Sequence, residues 1–184
     1  MQNKTALSIE KISKALNLIY QSKTWNQAIK IFKKSKKVYY LGHGGNLAIC
    51  DHAATDLSRL TDKIGICPGS AVVTTSYIND FGWNNWLEVW IKKEIKTNSK
   101  KNVCAIIITS TYKSKDVINA QKFLLKEKIP VIVFTVKKSK NKISKFYVEL
   151  QLDVNTYHDA EVCSLGLTYD LITASGYKCP KINI

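Results

Sequence analysis

The sequence predicts an α/β domain in which a mostly parallel, five-stranded sheet is covered by helices on both faces, a three-layer αβα sandwich preceded by an N-terminal helical segment. Three observations predict it. Five short apolar runs rich in β-branched residues recur along the chain, helical spacing of apolar residues fills most intervals between them, and a longer helical pattern precedes the first run. Parallel neighbours need a crossover connection, and a crossover helix buries its apolar stripe on the sheet.

In order, Ile9, Ile12, Leu16, Ile19, Trp25, Ala28 and Ile31 recur at helical spacing over residues 6–35, with a break near Ser22. The runs VYYLG (38–42), AVVTT (71–75), VCAIIIT (103–109), VIVFTV (131–136) and FYVELQL (146–152) read as strands. Helical patterns occupy 47–60, 83–95, 114–126 and 160–175. No internal repeat or composition shift divides the chain, so residues 1–184 read as one domain, with the helical segment 1–35 packing either on the domain or on a neighbouring chain as an oligomer interface.

Composition narrows the function classes. Hydrophobic residues make up 45% of the chain, enough to build a core without metal or disulfide staples. The formal charge is +14, yet Arg59 is the single arginine among 28 basic residues, and specific readers of phosphate and base edges favour arginine forks. Nucleic acid is therefore not the expected partner, and the positive field suits small anions. Cys50, Cys67, Cys104, Cys163 and Cys179 are odd in number and form no CxxC pair, as expected of reduced thiols in a cytoplasmic protein. No apolar run approaches the roughly 18 residues of a membrane span, so no membrane partner is expected.

In parallel sheets, ligands collect beyond the carboxyl ends of the strands. The loops expected there are GHGGN (42–46), SYINDFGW (76–83), TSTYKS (109–114) and NTYHDA (155–160). Glycines in GHGGN let backbone N–H groups approach an anionic or hydroxylated ligand, or serve plain steric needs. Thr109, Ser110, Thr111 and Ser114 bring four hydroxyls to the start of a helix, the makings of a phosphate cradle, where an ordinary N-cap needs only one. His52 and Asp56, four residues apart, share a helix face and can converge on a metal, on a substrate or on each other.

These residues resemble the sugar isomerase (SIS) domain, and within it the phosphoheptose isomerases, over nearly the whole chain. The most specific match is NDFG at 79–82, followed by Trp83 and Asn84. The family's glycine loop, GNGGS, is matched at Gly42, Gly44 and Gly45, while His43 and Asn46 depart from it. Its phosphate loop, STSGNS, keeps its hydroxyls here, but Tyr112 and Lys113 stand for the glycine and asparagine. Its metal-binding helix pairs a histidine with a glutamate four residues on, where this chain has His52 and Asp56. In the last helix, alignment through Tyr157 and Asp159 puts Val162 at a glutamine ligand and Asp170 at a histidine, with Glu161 one residue out of register.

The resemblance implies isomerisation of a ketose phosphate to an aldose phosphate, with sedoheptulose 7-phosphate as substrate, in a homotetramer whose sites are completed by neighbouring chains. It implies catalytic roles for Asp56, Asp170 and Asp159, and zinc on His52, Asp56 and Asp170, with one expected ligand lost to Val162. It implies substrate contacts from His43, Gly44, Gly45, Asn46, Asn79, Asp80, Thr109, Ser110, Thr111 and Ser114. His43 either adds a titratable imidazole to the site or merely hydrogen-bonds within its loop. The changes at Val162 and Asp170 favour the alternative of a non-catalytic sugar-phosphate-binding or regulatory domain.

Overall fold

The computed structural model describes residues 5–97, 100–138 and 143–182. The elements run α1 (Ile9–Tyr20), α2 (Lys23–Lys34), β1 (Lys37–Leu41), α3 (Gly45–Leu60), β2 (Ile64–Ile66), α4 (Ala71–Phe81), α5 (Trp86–Thr97), β3 (Val103–Ile108), α6 (Lys115–Lys126), β4 (Val131–Thr135), β5 (Tyr147–Gln151) and α7 (Tyr157–Ala174). The five strands pair in parallel in the order β2-β1-β3-β4-β5.

Every residue of β3 and β4 is buried, as a parallel sheet covered on both faces requires. Alternate side chains feed two cores. Val38, Tyr40, Cys104, Ile106, Ile132, Phe134, Val148 and Leu150 pack against α1, α2, α3 and α7. Tyr39, Leu41, Ala105, Ile107, Val131 and Val133 pack against α5 and α6 on the other face. The predicted three layers are present, and the N-terminal helices belong to one of them. Ser22 makes the break between α1 and α2 by accepting the Trp25 N–H at 3.0 Å, an N-cap that ends one helix and starts the next.

Two assignments change. AVVTT is not a strand but the start of α4, and the remaining strand is the three-residue β2 at the sheet edge. The threonines of α4 satisfy their hydroxyls locally: Thr74 donates to the Pro68 carbonyl at 2.8 Å and Thr75 to Ala71 at 2.6 Å. No residue of α4 is fully buried, and only its Val73, Tyr77 and Ile78 pack on the second core, a one-sided covering that suits a helix. The last helix also begins earlier than predicted, at Tyr157, because Thr156 accepts the Asp159 N–H at 3.1 Å. Among the described residues no helix is long and apolar enough to cross a membrane.

The connection from β1 runs through α3 to β2 on one side, and that from β3 runs through α6 to β4 on the other. The two helices lie on opposite faces. The strand order therefore reverses between β1 and β3, which opens a crevice at their carboxyl ends.

The edge strand depends on one close approach. A Cβ on Gly65 would lie 2.3 Å from the Ala54 carbonyl oxygen and 2.6 Å from its Cα, both backbone atoms of α3. Gly65→Ala is expected to cost about 1–3 kcal/mol, the usual range for overpacking. It should lower the urea midpoint without changing the slope of the transition.

Candidate functional site

Leu41 of β1 is paired with Ile107 of β3, so the loops 42–44 and 109–114 leave the sheet side by side. Gly44 turns the first of them with φ 54° and ψ −127°, a conformation suited to glycine, and its missing side chain leaves open space. Two residues later, the Asn46 amide reaches the Ser110 hydroxyl at 3.4 Å and joins the loops. The predicted substrate residues His43, Gly44, Gly45, Asn46, Ser110, Thr111 and Ser114 therefore border one crevice. Thr109 lies at its base, buried, with its N–H donated to Phe134.

The hydroxyl turn is built to hold its shape. The Ser110 carbonyl accepts N–H bonds from Val136 and Lys137, both at 3.2 Å, which ties the turn to the end of β4. Ser114 stands at the N-cap of α6, but its hydroxyl makes no capping bond. Tyr112 adopts φ 53°, the left-handed conformation that a glycine would take freely. For a residue with a Cβ this costs about 1–2 kcal/mol. Its hydroxyl donates to Gln121, a buried residue of α6, which holds the side chain in this conformation. The turn thus keeps a glycine-like shape without the glycine.

His43 is fixed from two sides. Its Nε2 lies 2.5 Å from Oδ2 of Asp116, whose side chain is fully buried in the first turn of α6. Its ring centroid is 5.4 Å from that of Trp83 and 6.1 Å from that of Trp86. Asp116 Oδ1, Asn46 Oδ1 and Trp86 Nε1 are all buried with no hydrogen-bond partner among the described residues. Such a concentration of unpaired polar atoms is unusual in a folded interior.

Glu161 comes in from α7. A Cβ on Gly45 would meet its Oε1 at 2.2 Å, so the carboxylate lies directly over the first residue of α3. The early start of α7 gives it this position, although its register sets it one residue from the expected ligand site. Val162, at that site, is an exposed hydrophobic residue.

The expected metal ligands are divided. His52 Nε2 lies 3.2 Å from Asp56 Oδ2 and 2.8 Å from the Tyr169 hydroxyl, while Asp56 Oδ1 accepts from Arg59 at 2.7 Å. Burial, and then the Asp56 charge, raises the Tyr169 hydroxyl above its ordinary pKa and keeps it protonated. Asp170 instead accepts a hydrogen bond from Tyr20 of α1. Burial first, then this carboxylate, pushes the Tyr20 hydroxyl well up. Among the described residues no three His, Cys, Asp or Glu side chains gather as a metal site. The residues of the single chain do not fit the implied zinc.

Three other expectations change place. Asp159, expected in catalysis, is buried and accepts the Ser8 N–H at 2.9 Å, so its carboxylate fastens α1 to α7. Asn79 and Asp80 lie on the exposed last turn of α4, bonded to each other at 3.0 Å, rather than in a loop at a strand end. Gly82 ends that helix with φ 74° and lets Trp83 follow toward His43. Sequence reasoning missed Asp116 altogether. The available signal was an acidic residue two positions after the hydroxyl turn, in the first turn of a helix.

Neither a family model nor a curated protein matches this chain. Solved structures do. Phosphoheptose isomerase GmhA from Neisseria gonorrhoeae superposes with a TM-score of 0.75 at 15% identity, covering 90% of this chain and 93% of the other. The fold is that of a sugar isomerase domain. A phosphoheptose isomerase from Francisella tularensis is similar at TM-score 0.74, 15% identity and the same coverage. The sugar isomerase domain of an RpiR transcription factor from Sphaerobacter thermophilus is similar at TM-score 0.56 and 12% identity, over 89% of this chain and 87% of that one. At these identities the likeness is one of fold, and residue roles rest on the geometry above.

The hydroxyl turn generates a direct test. Ser110→Ala combined with Thr111→Ala is expected to weaken sugar-phosphate binding by about 1–3 kcal/mol, one or two lost hydrogen bonds to a charged group. Titration calorimetry would show it, and unchanged affinity would remove the turn from the site.

Proposed function

We propose that this chain isomerises a sugar phosphate between its ketose and aldose forms, with sedoheptulose 7-phosphate and the corresponding glycero-manno-heptose 7-phosphate as the pair. The observation that carries the reading is the crevice between β1 and β3, where a hydroxyl-rich turn at one helix N-terminus adjoins a glycine loop at another, with Glu161 and His43 at its borders. The turn 110–114 receives the phosphate, aided by unpaired N–H groups in the first turn of α6. The open face of Gly44 and the first N–H groups of α3 receive the sugar's oxygens.

Isomerisation moves a proton between adjacent carbons through an enediol. A base removes a proton from C1 of the ketose while an acid protonates the C2 oxygen. The O1 proton then leaves as the first group returns its proton to C2. Glu161 is the carboxylate at the glycine loop and serves as the carbon base, in place of Asp56, which is engaged by Arg59 and His52. Among the described residues no ligand set for zinc gathers, and the proposed reaction is written on side chains.

A second reading, a sugar-phosphate-binding regulatory domain, draws support from the likeness to a transcription factor's sugar isomerase domain and from the division of His52, Asp56 and Asp170. Incubation of the protein with sedoheptulose 7-phosphate, followed by NMR of the products, separates the two. Isomerisation is expected, and binding without turnover would favour the regulator.

Chelation should leave turnover within about twofold. Recovery of lost activity on adding zinc would restore the metal to the mechanism. The proposed assembly is a homotetramer using the outer face of α1, where Ile9 and Leu18 are exposed. Light scattering is expected to give four times the 20.8 kDa chain mass, and a monomer would overturn this.

A further inference from the structure

The sugar-phosphate reading leaves the oxygen-side proton without a carrier, and the structure holds one candidate that the resemblance does not supply. We propose that His43 is the acid–base group that moves protons at the sugar's O1 and O2, with Asp116 as its positioning residue; the proposal rests on the isomerase reading. The juxtaposition comes from the switch point itself. His43 is the second residue after β1 and Asp116 the second residue of α6, and parallel pairing of β1 with β3 brings them to 2.5 Å.

The contact fixes the chemistry of the ring. With the Asp116 carboxylate as acceptor, Nε2 carries the hydrogen and Nδ1 keeps its lone pair. A neutral imidazole held in this way takes a proton at Nδ1, and the adjacent carboxylate stabilises the imidazolium that forms. When the C2 oxygen of the ketose needs a proton, Nδ1–H of the imidazolium gives it. When O1 must lose its proton, the neutral Nδ1 takes it. The two transfers return His43 to its starting state, so no co-reactant is required.

Three features distinguish this pair from a purely structural contact. A buried carboxylate is ordinarily held by several donors, yet among the described residues Asp116 has one side-chain partner and its second oxygen has none. The imidazole is one-fifth exposed, whereas its carboxylate is fully covered, so access to solvent or ligand is through the ring. Asn46 and Trp86, beside the same ring or loop, also carry unpaired buried polar atoms.

The test compares wild type with His43→Ala, His43→Gln and Asp116→Asn, using sedoheptulose 7-phosphate as probe. The glutamine can still hydrogen-bond to Asp116 but carries no transferable proton, and thermal unfolding checks that each variant is folded. General acid–base groups typically contribute 10²–10⁴-fold, so both His43 variants are expected to lose roughly 100-fold or more in kcat with affinity within about threefold. Added imidazole should recover part of the His43→Ala loss. Asp116→Asn should lower kcat at unchanged affinity and shift the His43 ring-nitrogen NMR signals away from the Nε2–H form. Turnover within threefold of wild type in folded His43→Gln overturns the dyad while leaving the isomerase reading intact. A wild-type chain that binds the sugar phosphate without isomerising it overturns both.

Discussion

Parallel pairing of β1 with β3 is the constraint on which the rest of this molecule depends. The two strands sit side by side in the sheet but send their crossover helices to opposite faces. The two loops that emerge at their carboxyl ends therefore flank a crevice, which Trp83 and, from α7, Glu161 also border. The register places Gly42 beside the end of β3, which sets Asn46 against Ser110 and His43 against Asp116. The fold thus decides where the site is, and a few side chains decide what it does.

Several departures from good packing practice meet in that crevice, although among the described residues Tyr39, Tyr40 and Ser175 also bury unpaired hydroxyls and Asn102 and Lys128 also hold left-handed backbones. Other awkward groups are accommodated: the buried Lys63 ammonium donates to the carbonyls of Ser35 and Lys33 at 2.5 and 3.1 Å and lies 5.6 Å from the Phe32 ring centroid. At the switch point, by contrast, Tyr112 holds a left-handed backbone, and Asp116, Asn46 and Trp86 leave buried polar atoms unpaired. Several local rules broken side by side at one crevice are what a chemical demand on that crevice would produce.

The sequence made most of the architecture legible because fully buried parallel strands are long, apolar and β-branched. The runs at 103–109 and 131–136 left little room for another reading. It failed at 71–75 because β-branched composition reports packing against neighbours, and α4 is covered only in part, with Val72 exposed and Val73 half-buried on the second core. It overlooked β2 because three residues, one of them a glycine, carry no alternation to recognise. At the candidate site, spacing singled out the hydroxyl turn and the glycine loop, both local in sequence, and the structure sets them side by side. The partnership of His43 with Asp116 spans 73 positions and exists only once β1 and β3 are paired, so no local pattern announces it. The same argument applies to Asp170, whose tyrosine partner lies 150 positions away.

Asp159 and Asp170 stand eleven residues apart on α7, and each accepts a donor from the region of α1: the Ser8 N–H at its start and the Tyr20 hydroxyl at its end. The helix is therefore pinned at both ends, while Ile9 and Leu18 remain uncovered between the pins. A partner surface that meets those side chains finds a rigid strut. Association there gives up little conformational entropy, because the backbone was ordered when the chain folded. Two acids that the family resemblance assigned to chemistry thus act as rivets, and what they preserve is the stiffness of an exposed helix.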